Sequence, residues 1–150
     1  MTVERVEKVT AVVLRPGKSG AAEMLVFDHP LKEGGSMIQL PAGTLEKDET
    51  TEAGALRELF EETGVQGEPV ALAGVRDEEW QGQLRRRWIY IVRPPEGLPG
   101  EWPYSCDCGT PILFRWMPFD TAQIFEPQQP WVEMAREWAR KSSLEKGARS

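Results

Sequence analysis

Residues 43–65, GTLEKDETTEAGALRELFEETGV, constrain the fold of this chain more than any other stretch. They hold one amphipathic segment between a helix start signal and a helix stop signal. Thr50 or Asp48 can cap the N-terminus, because a short side-chain oxygen accepts from the backbone N–H groups that a first turn leaves free. Gly64 stands where helices often end on a left-handed residue. The spacing therefore predicts a helix over residues 51–63. Leu56, Leu59 and Phe60, at i, i+3 and i+4, give it an apolar stripe that must be buried against another layer. Glu58 and Glu62 lie four apart on one helical face, and Glu61, three from Glu58, adjoins them. Three ionised carboxylates this close repel one another and weaken the helix, and bound cations reverse that cost. Hard divalent ions that take oxygen ligands, Mg²⁺ first and Mn²⁺ second, suit such a cluster. On spacing alone, a solvated acidic face is the favoured reading, and ordinary ion pairs also fit.

The flanking sequence supplies the layer. Val9–Leu14 (VTAVVL) is rich in β-branched residues and predicts a buried strand, and Glu23–Phe27 predicts its return after the turn at residues 17–20. Residues 28–36 predict a loop, and Met37–Leu40 a short strand stopped by Pro41. Beyond the helix, Pro69–Val75 and Arg85–Val92 predict strands on either side of a turn at Asp77–Gly82. Residues 94–111, with several prolines and glycines, predict a long loop, and Ile112–Met117 the last strand. Pro130 suits the first turn of a C-terminal helix with an apolar stripe of Trp131, Met134, Ala135 and Trp138. The polar end, residues 141–150, is expected to fray. This order gives an α+β chain: a mixed sheet with helices packed on its faces.

At 150 residues the chain is expected to form one domain with its own core. No apolar run is long enough to span a membrane, and the first residues lack the pattern of a signal peptide, so a cytoplasmic protein is expected. The net charge of −6 argues against a footprint for duplex nucleic acid but not against a phosphorylated small molecule, since bound metal inverts the local charge. Cys106 and Cys108 lie in a loop with one distant histidine, His29, and read as reduced thiols rather than a zinc site. Monomer and homodimer both remain open.

Gly43, Glu49 and the run Arg57-Glu58-Leu59-Phe60-Glu61-Glu62-Thr63-Gly64-Val65 fill every fixed position of G-x5-E-x7-R-E-U-x-E-E-x-G-U, where U is aliphatic or bulky and apolar. The segment resembles the Nudix box. The resemblance implies an α/β/α sandwich with a mixed, partly curled sheet and the box as a loop-helix-loop at its edge. It implies that Glu58 and Glu62 are the principal metal ligands, and that Glu61 shares the metal or orients the attacking water. The backbone carbonyl of Gly43 would supply another ligand. Arg57 and Glu49 would pair across the loop and fix the carboxylates. The reaction implied is Mg²⁺-dependent hydrolysis of a diphosphate bond in a small nucleoside diphosphate derivative, with Mn²⁺ able to substitute.

The general base varies across that family. Candidates here are Glu78, Glu79, Glu101, Asp107 and Glu126, each of which also reads as a plain surface carboxylate. Arg85 and Arg87 alternate on one face of a strand and could bind phosphate through their guanidinium forks, or belong to a solvated edge strand. Trp80, Trp88 and Trp102 could stack on a base or simply pack. Gln128 and Gln129 lie where the triphosphate-cleaning branch of the family reads the base. Pro41-Ala42-Gly43 resembles the start of the box in ADP-ribose and nucleotide-sugar hydrolases, but the proline that branch carries further on is replaced by Trp80 and Gln81. The tyrosine associated with diadenosine polyphosphate hydrolases is also missing around Gly82, and the upstream coenzyme A signature is not evident. A (d)NTP or damaged-nucleotide pyrophosphatase is the first alternative, and a nucleotide sensor of the same fold the second.

Overall fold

A computed structural model describes residues 5–31, 33–105, 109 and 111–148. Asp107, Cys106 and Cys108 lie outside them. Eight strands, β1 (Val6–Pro16), β2 (Ala22–Pro30), β3 (Ser36–Gln39), β4 (Ala42–Thr44), β5 (Glu68–Trp80), β6 (Gln83–Arg93), β7 (Glu101–Ser105) and β8 (Pro111–Pro118), form one mixed sheet. Its main path runs β5-β6-β1-β2-β8-β7, with β3 on β2 and β4 on β1. Helix α1 (Thr51–Thr63) follows β4; a 3₁₀ turn (Glu126–Gln128) leads into α2 (Gln129–Ala148). No helix of the described residues is long and apolar enough to cross a membrane.

β1 organises the sheet by changing partners along its length. Its first part runs parallel to β6 and antiparallel to β4; its end pairs with β2. Because β1 is covered on both faces, Val9–Val13 are all buried, as a continuous apolar run requires. Alternate residues then feed two cores. Ala11 and Val13 pack with Leu25, Val92, Phe114 and Leu59 of α1. Val12 packs with Met24, Val26, Ile89, Ile91 and Trp131, Val132 and Ala135 of α2. The sandwich of two helices about a mixed sheet is the architecture expected.

α1 has the expected bounds. Thr50 is the cap, its Oγ1 accepting from Ala53 N–H at 3.1 Å, and Gly64 (φ 78°) closes the helix by donating to the Phe60 carbonyl at 2.8 Å. Asp48 instead takes a left-handed turn conformation (φ 64°) in the preceding loop. The apolar stripe is narrower than expected. Leu59 is buried and Leu56 partly buried, but Phe60 is 49% exposed, because Ala55, Leu59 and Thr63 define the inward line and Phe60 stands a further 100° round the helix.

Two loops predicted from composition contain strand. β5 runs on through Asp77-Glu78-Glu79 to Trp80, and the chain reverses only at Gln81 and Gly82, both with positive φ as a two-residue hairpin turn demands. The acidic run reads as a turn in isolation. Across the hairpin, however, Asp77 pairs with Arg86 directly opposite and Glu78 with Arg87 on the diagonal, so these charges pair rather than scatter. Similarly, β7 lies inside the expected long loop at residues 94–111. Trp102 and Tyr104 lean on Phe114 of β8 there, and Pro103 is tolerated on an edge strand. β6, which carries Arg85 and Arg87, is flanked by β5 and β1 and is not an edge strand.

Candidate active site

The box wraps its own arginine. Arg57 Nε donates to Glu49 Oε2 at 2.6 Å and Nη2 to Glu49 Oε1 at 3.0 Å, a bidentate fork that ties α1 to the loop before it. Nη2 also donates to the Thr44 carbonyl at 3.1 Å, anchoring the end of β4. Nη1 donates to Glu58 Oε1 at 3.1 Å and Glu61 Oε2 at 3.0 Å, with Glu46 at 3.5 Å. The Arg57 hydrogen bonds hold the Glu49 carboxyl below the usual range, and those of Glu49, chiefly, push the guanidinium further up.

Glu62 sits apart from that clamp. Half-buried at the end of α1, it accepts from Ala42 N–H at 3.3 Å and from no other group among the described residues. Burial first, then the Glu58 charge, pushes its carboxyl up to about 8. Burial also raises Glu58, though Arg57 offsets part of the effect. Gly43 meets this group directly: a Cβ there would lie 2.1 Å from Glu58 Cδ, so only a glycine lets the β4 backbone rest against the carboxylate.

Among the described residues no three acidic side chains converge on one point as a ready metal cage. Glu58 and Glu61 turn toward Arg57, and Glu62 toward Ala42. The donor set nevertheless fits a hard divalent cation. It is all oxygen, it sets Glu62 beside Glu58 with no cationic partner of its own, and Gly43 leaves the backbone open at the carboxylates. Glu58, Glu62 and the Gly43 carbonyl are the atoms that would hold the ion, with Glu61 adjoining.

Glu62 and Gly43 open onto a cavity of about 760 Å³ whose other walls come from the β5–β6 hairpin, β1 and the turn before α2. Of the candidate substrate residues, Trp80 and Arg85 line it. Arg87 also reaches it, but is only 4% exposed and fully engaged. Its Nε donates to Glu78 Oε1 at 3.0 Å, and its guanidinium lies 3.8 Å over the Trp131 ring, whose Nε1 donates to Glu78 Oε2 at 2.6 Å. Glu78 is therefore occupied at both oxygens. Glu79 and Glu126 line the cavity without an ion pair among the described residues, whereas Glu101 lies on β7 at the opposite edge of the sheet. Gln128 lines it too, its Oε1 fixed by Leu40 N–H at 2.8 Å. Gln129 accepts from Ile124 N–H, Trp88 donates to Glu7, and Trp102 stacks on Phe114; none of these three lines the cavity. Sequence reasoning missed Lys8 and the role of Trp131. Lys8 is a charged residue inside a strand pattern, which is a usable signal. Trp131 looks like any member of a helical apolar stripe.

The family model described as the NUDIX domain matches residues 5–141. A MutT-like protein of Streptomyces ambofaciens is 48% identical over 60 residues, which cover 40% of this chain and 38% of that protein, well under half its length. Solved structures share the fold at low identity. A protein from Jonesia denitrificans, described as a possible asymmetric diadenosine tetraphosphate hydrolase, is similar over 92% of this chain and 96% of its own, at 16% identity and a TM-score of 0.71. A MutT Nudix hydrolase from Burkholderia pseudomallei is similar over 87% and 98%, at 20% identity and a TM-score of 0.66. With the domain match spanning nearly the whole chain and the fold shared, this protein belongs to the Nudix hydrolase family.

Proposed function

We propose that this chain is a divalent-metal-dependent pyrophosphohydrolase, using Mg²⁺ with Mn²⁺ able to substitute, that cleaves the diphosphate bond of a small nucleoside diphosphate derivative. One observation carries the reading: Arg57 fixes Glu49, Glu58 and Glu61 from behind, while Glu62 and Gly43 face a cavity large enough for a nucleotide. Glu58, Glu62 and the Gly43 carbonyl would hold the metal, and Glu61 would share it or orient the attacking water. When bound, the metal neutralises phosphate charge and lowers the pKa of a coordinated water. The chain's own part is positioning, which supplies most of the acceleration in phosphoryl transfer. Arg57 and Glu49 keep the carboxylates from swinging into solvent. Glu79 or Glu126 takes the proton of the attacking water, being the candidates at the cavity whose carboxylates are not already committed. Trp80 offers a flat ring at the hairpin end of the cavity.

ADP-ribose or a nucleotide sugar is the favoured substrate type, on the Pro41-Ala42-Gly43 sequence. The second reading, a nucleoside triphosphate or damaged nucleotide, draws on Gln128, whose carbonyl is fixed by Leu40 so that its amide end is presented in one orientation. The test is a phosphate-release screen with Mg²⁺ and Mn²⁺ across (d)NTPs, ADP-ribose, nucleotide sugars, NADH, coenzyme A and dinucleoside polyphosphates, coupled to a phosphatase or pyrophosphatase. AMP from ADP-ribose supports the first reading and pyrophosphate from an NTP the second. Tight nucleotide binding without turnover in either metal makes the protein a sensor and overturns both.

A further inference from the structure

At the cavity end of the sheet, β1, β6 and β5 bring five cations together, and three are already matched. Arg76 pairs with Glu78 at 3.4 Å, Arg86 with Asp77 at 2.8 Å and Arg87 with Glu78 at 3.0 Å. The other two, Lys8 and Arg85, have no carboxylate partner among the described residues. Lys8 Nζ donates to Thr44 Oγ1 at 2.6 Å, and Arg85 Nε to Gln83 Oε1 at 3.2 Å, both neutral groups. Both side chains line the cavity that Glu62 and Gly43 enter. They sit on adjoining parallel strands, where Val6 faces Arg85 and Lys8 faces Arg87, so residues 6 and 8 of β1 present the same face as 85 and 87 of β6. Burial, then the charges of Arg85 and Arg87, depress the Lys8 ammonium from its ordinary value, and the Glu58 charge offsets only part of this. Two like charges held this way in a half-buried wall are stabilised by an anion.

We infer that Lys8 and Arg85 form one phosphate subsite on the sheet side of the cavity, gripping the phosphoryl group of the substrate that lies away from Glu62. The inference rests on the hydrolase reading for which phosphate lies near Glu62, but the subsite itself rests on the two unmatched cations. Arg87, singled out by its place in the strand, takes no part, since Glu78 and Trp131 already hold it. Trp80, whose ring centroid is 6.0 Å from the Arg85 guanidinium, closes the outer side. A substrate with two or more adjacent phosphoryl groups can bridge from the box to this pair. A monophosphate product cannot, so cleavage breaks the bridge and promotes release.

The test is calorimetric binding of methylenediphosphonate in Mg²⁺, since its carbon bridge resists hydrolysis. Lys8→Met and Arg85→Gln should each weaken binding about tenfold, the scale of one charge-assisted contact. The double variant should lose less than the product of the two, because they share one ligand. Lys8→Arg should restore affinity, and Arg86→Gln, whose partner is Asp77, should leave it unchanged. Thermal melts establish that each variant folds, and if Lys8→Met does not, Arg85→Gln and Lys8→Arg carry the test. Affinities within twofold of wild type in the folded neutral variants overturn the subsite. The two readings fail separately. No turnover on any substrate, with diphosphonate affinity still dependent on Lys8 and Arg85, keeps the subsite and sinks the hydrolase. Turnover with affinities indifferent to both residues does the reverse.

Discussion

Arg57 and Arg87 are both arginines held by glutamate, yet they serve opposite ends. Arg87 meets one carboxylate and one aromatic face; the charge is matched, the ring covers it, and the arrangement is closed. Arg57 meets four carboxylates, Glu46, Glu49, Glu58 and Glu61, so the box keeps an excess of negative charge even with its arginine in place. Glu62, which has no cation of its own among the described residues, adds to that excess once it gives up its proton. A covered, fully partnered guanidinium holds two strands and a helix together. An over-supplied anionic cluster beside an open cavity supports the cation site proposed above. Residue type does not separate the two cases; the ratio of charges and the access of solvent do.

The comparison breaks most sharply at Glu62. Glu62→Gln keeps the size of the side chain and its bond to Ala42 but removes the charge. Turnover should fall by about 10²-fold or more, as for other groups that act on transition-state charge, while the fold persists. Full activity would remove Glu62 from the metal site. Arg57→Lys comes next. Lysine keeps the charge but cannot make the bidentate fork to Glu49 and still reach Glu58 and Glu61. Activity should drop about 10- to 100-fold, the usual cost of losing a group that orients metal ligands. The loss should appear as weaker Mg²⁺ activation. A variant with unchanged metal dependence would make Arg57 a structural residue like Arg87.

How much of this was legible in the sequence follows the same division. The box helix, its Thr50 cap and its Gly64 stop were readable because they rest on contacts within a few residues. The strands of the core were readable from β-branched runs. The extension of β5 was not, because Asp77 and Glu78 take strand geometry only with Arg86 and Arg87 across the hairpin. β7 was hidden by Pro103 and the prolines of the loop before it, and depends on Phe114 of β8 for a surface to pack on. At the site, the spacing singled out the box residues, but not which cations of RRR would be neutralised. That depends on Glu78 and Trp131, at distances in sequence that no local pattern reports.

Arg87→Met tests the closed half of the comparison. Removing the guanidinium leaves the half-buried Glu78 against Trp131 with only the exposed Arg76 as counter-charge. The variant should lose about 3–5 kcal/mol of stability, the range for breaking a buried pair from one side. Adding Glu78→Gln should recover part of the loss by removing the stranded charge. Chemical denaturation of the single and double variants measures both. Activity per folded molecule should change far less than in Arg57→Lys. If Arg87→Met instead folds normally and loses turnover, the pair belongs to the catalytic machinery and the contrast collapses.

The smallest effect is in the pH dependence of the metal-free protein. Glu62 titrates near its ordinary value when unfolded but at about 8 when folded, because burial and Glu58 disfavour its charge. Below pH 4.5 both states hold the proton and the group costs nothing. As pH rises toward 8 the unfolded chain releases its proton first, so stability declines across that window and levels off above it. Melting in EDTA should show this decline in wild type and a shallower one in Glu62→Gln. Saturating Mg²⁺ should flatten the wild-type curve, since the ion takes the place of the proton and stabilises the native state by mass action. Identical slopes in wild type and Glu62→Gln would mean that Glu62 is no more strained than an ordinary surface carboxylate. The excess charge of the box would then already be relieved by Arg57 alone.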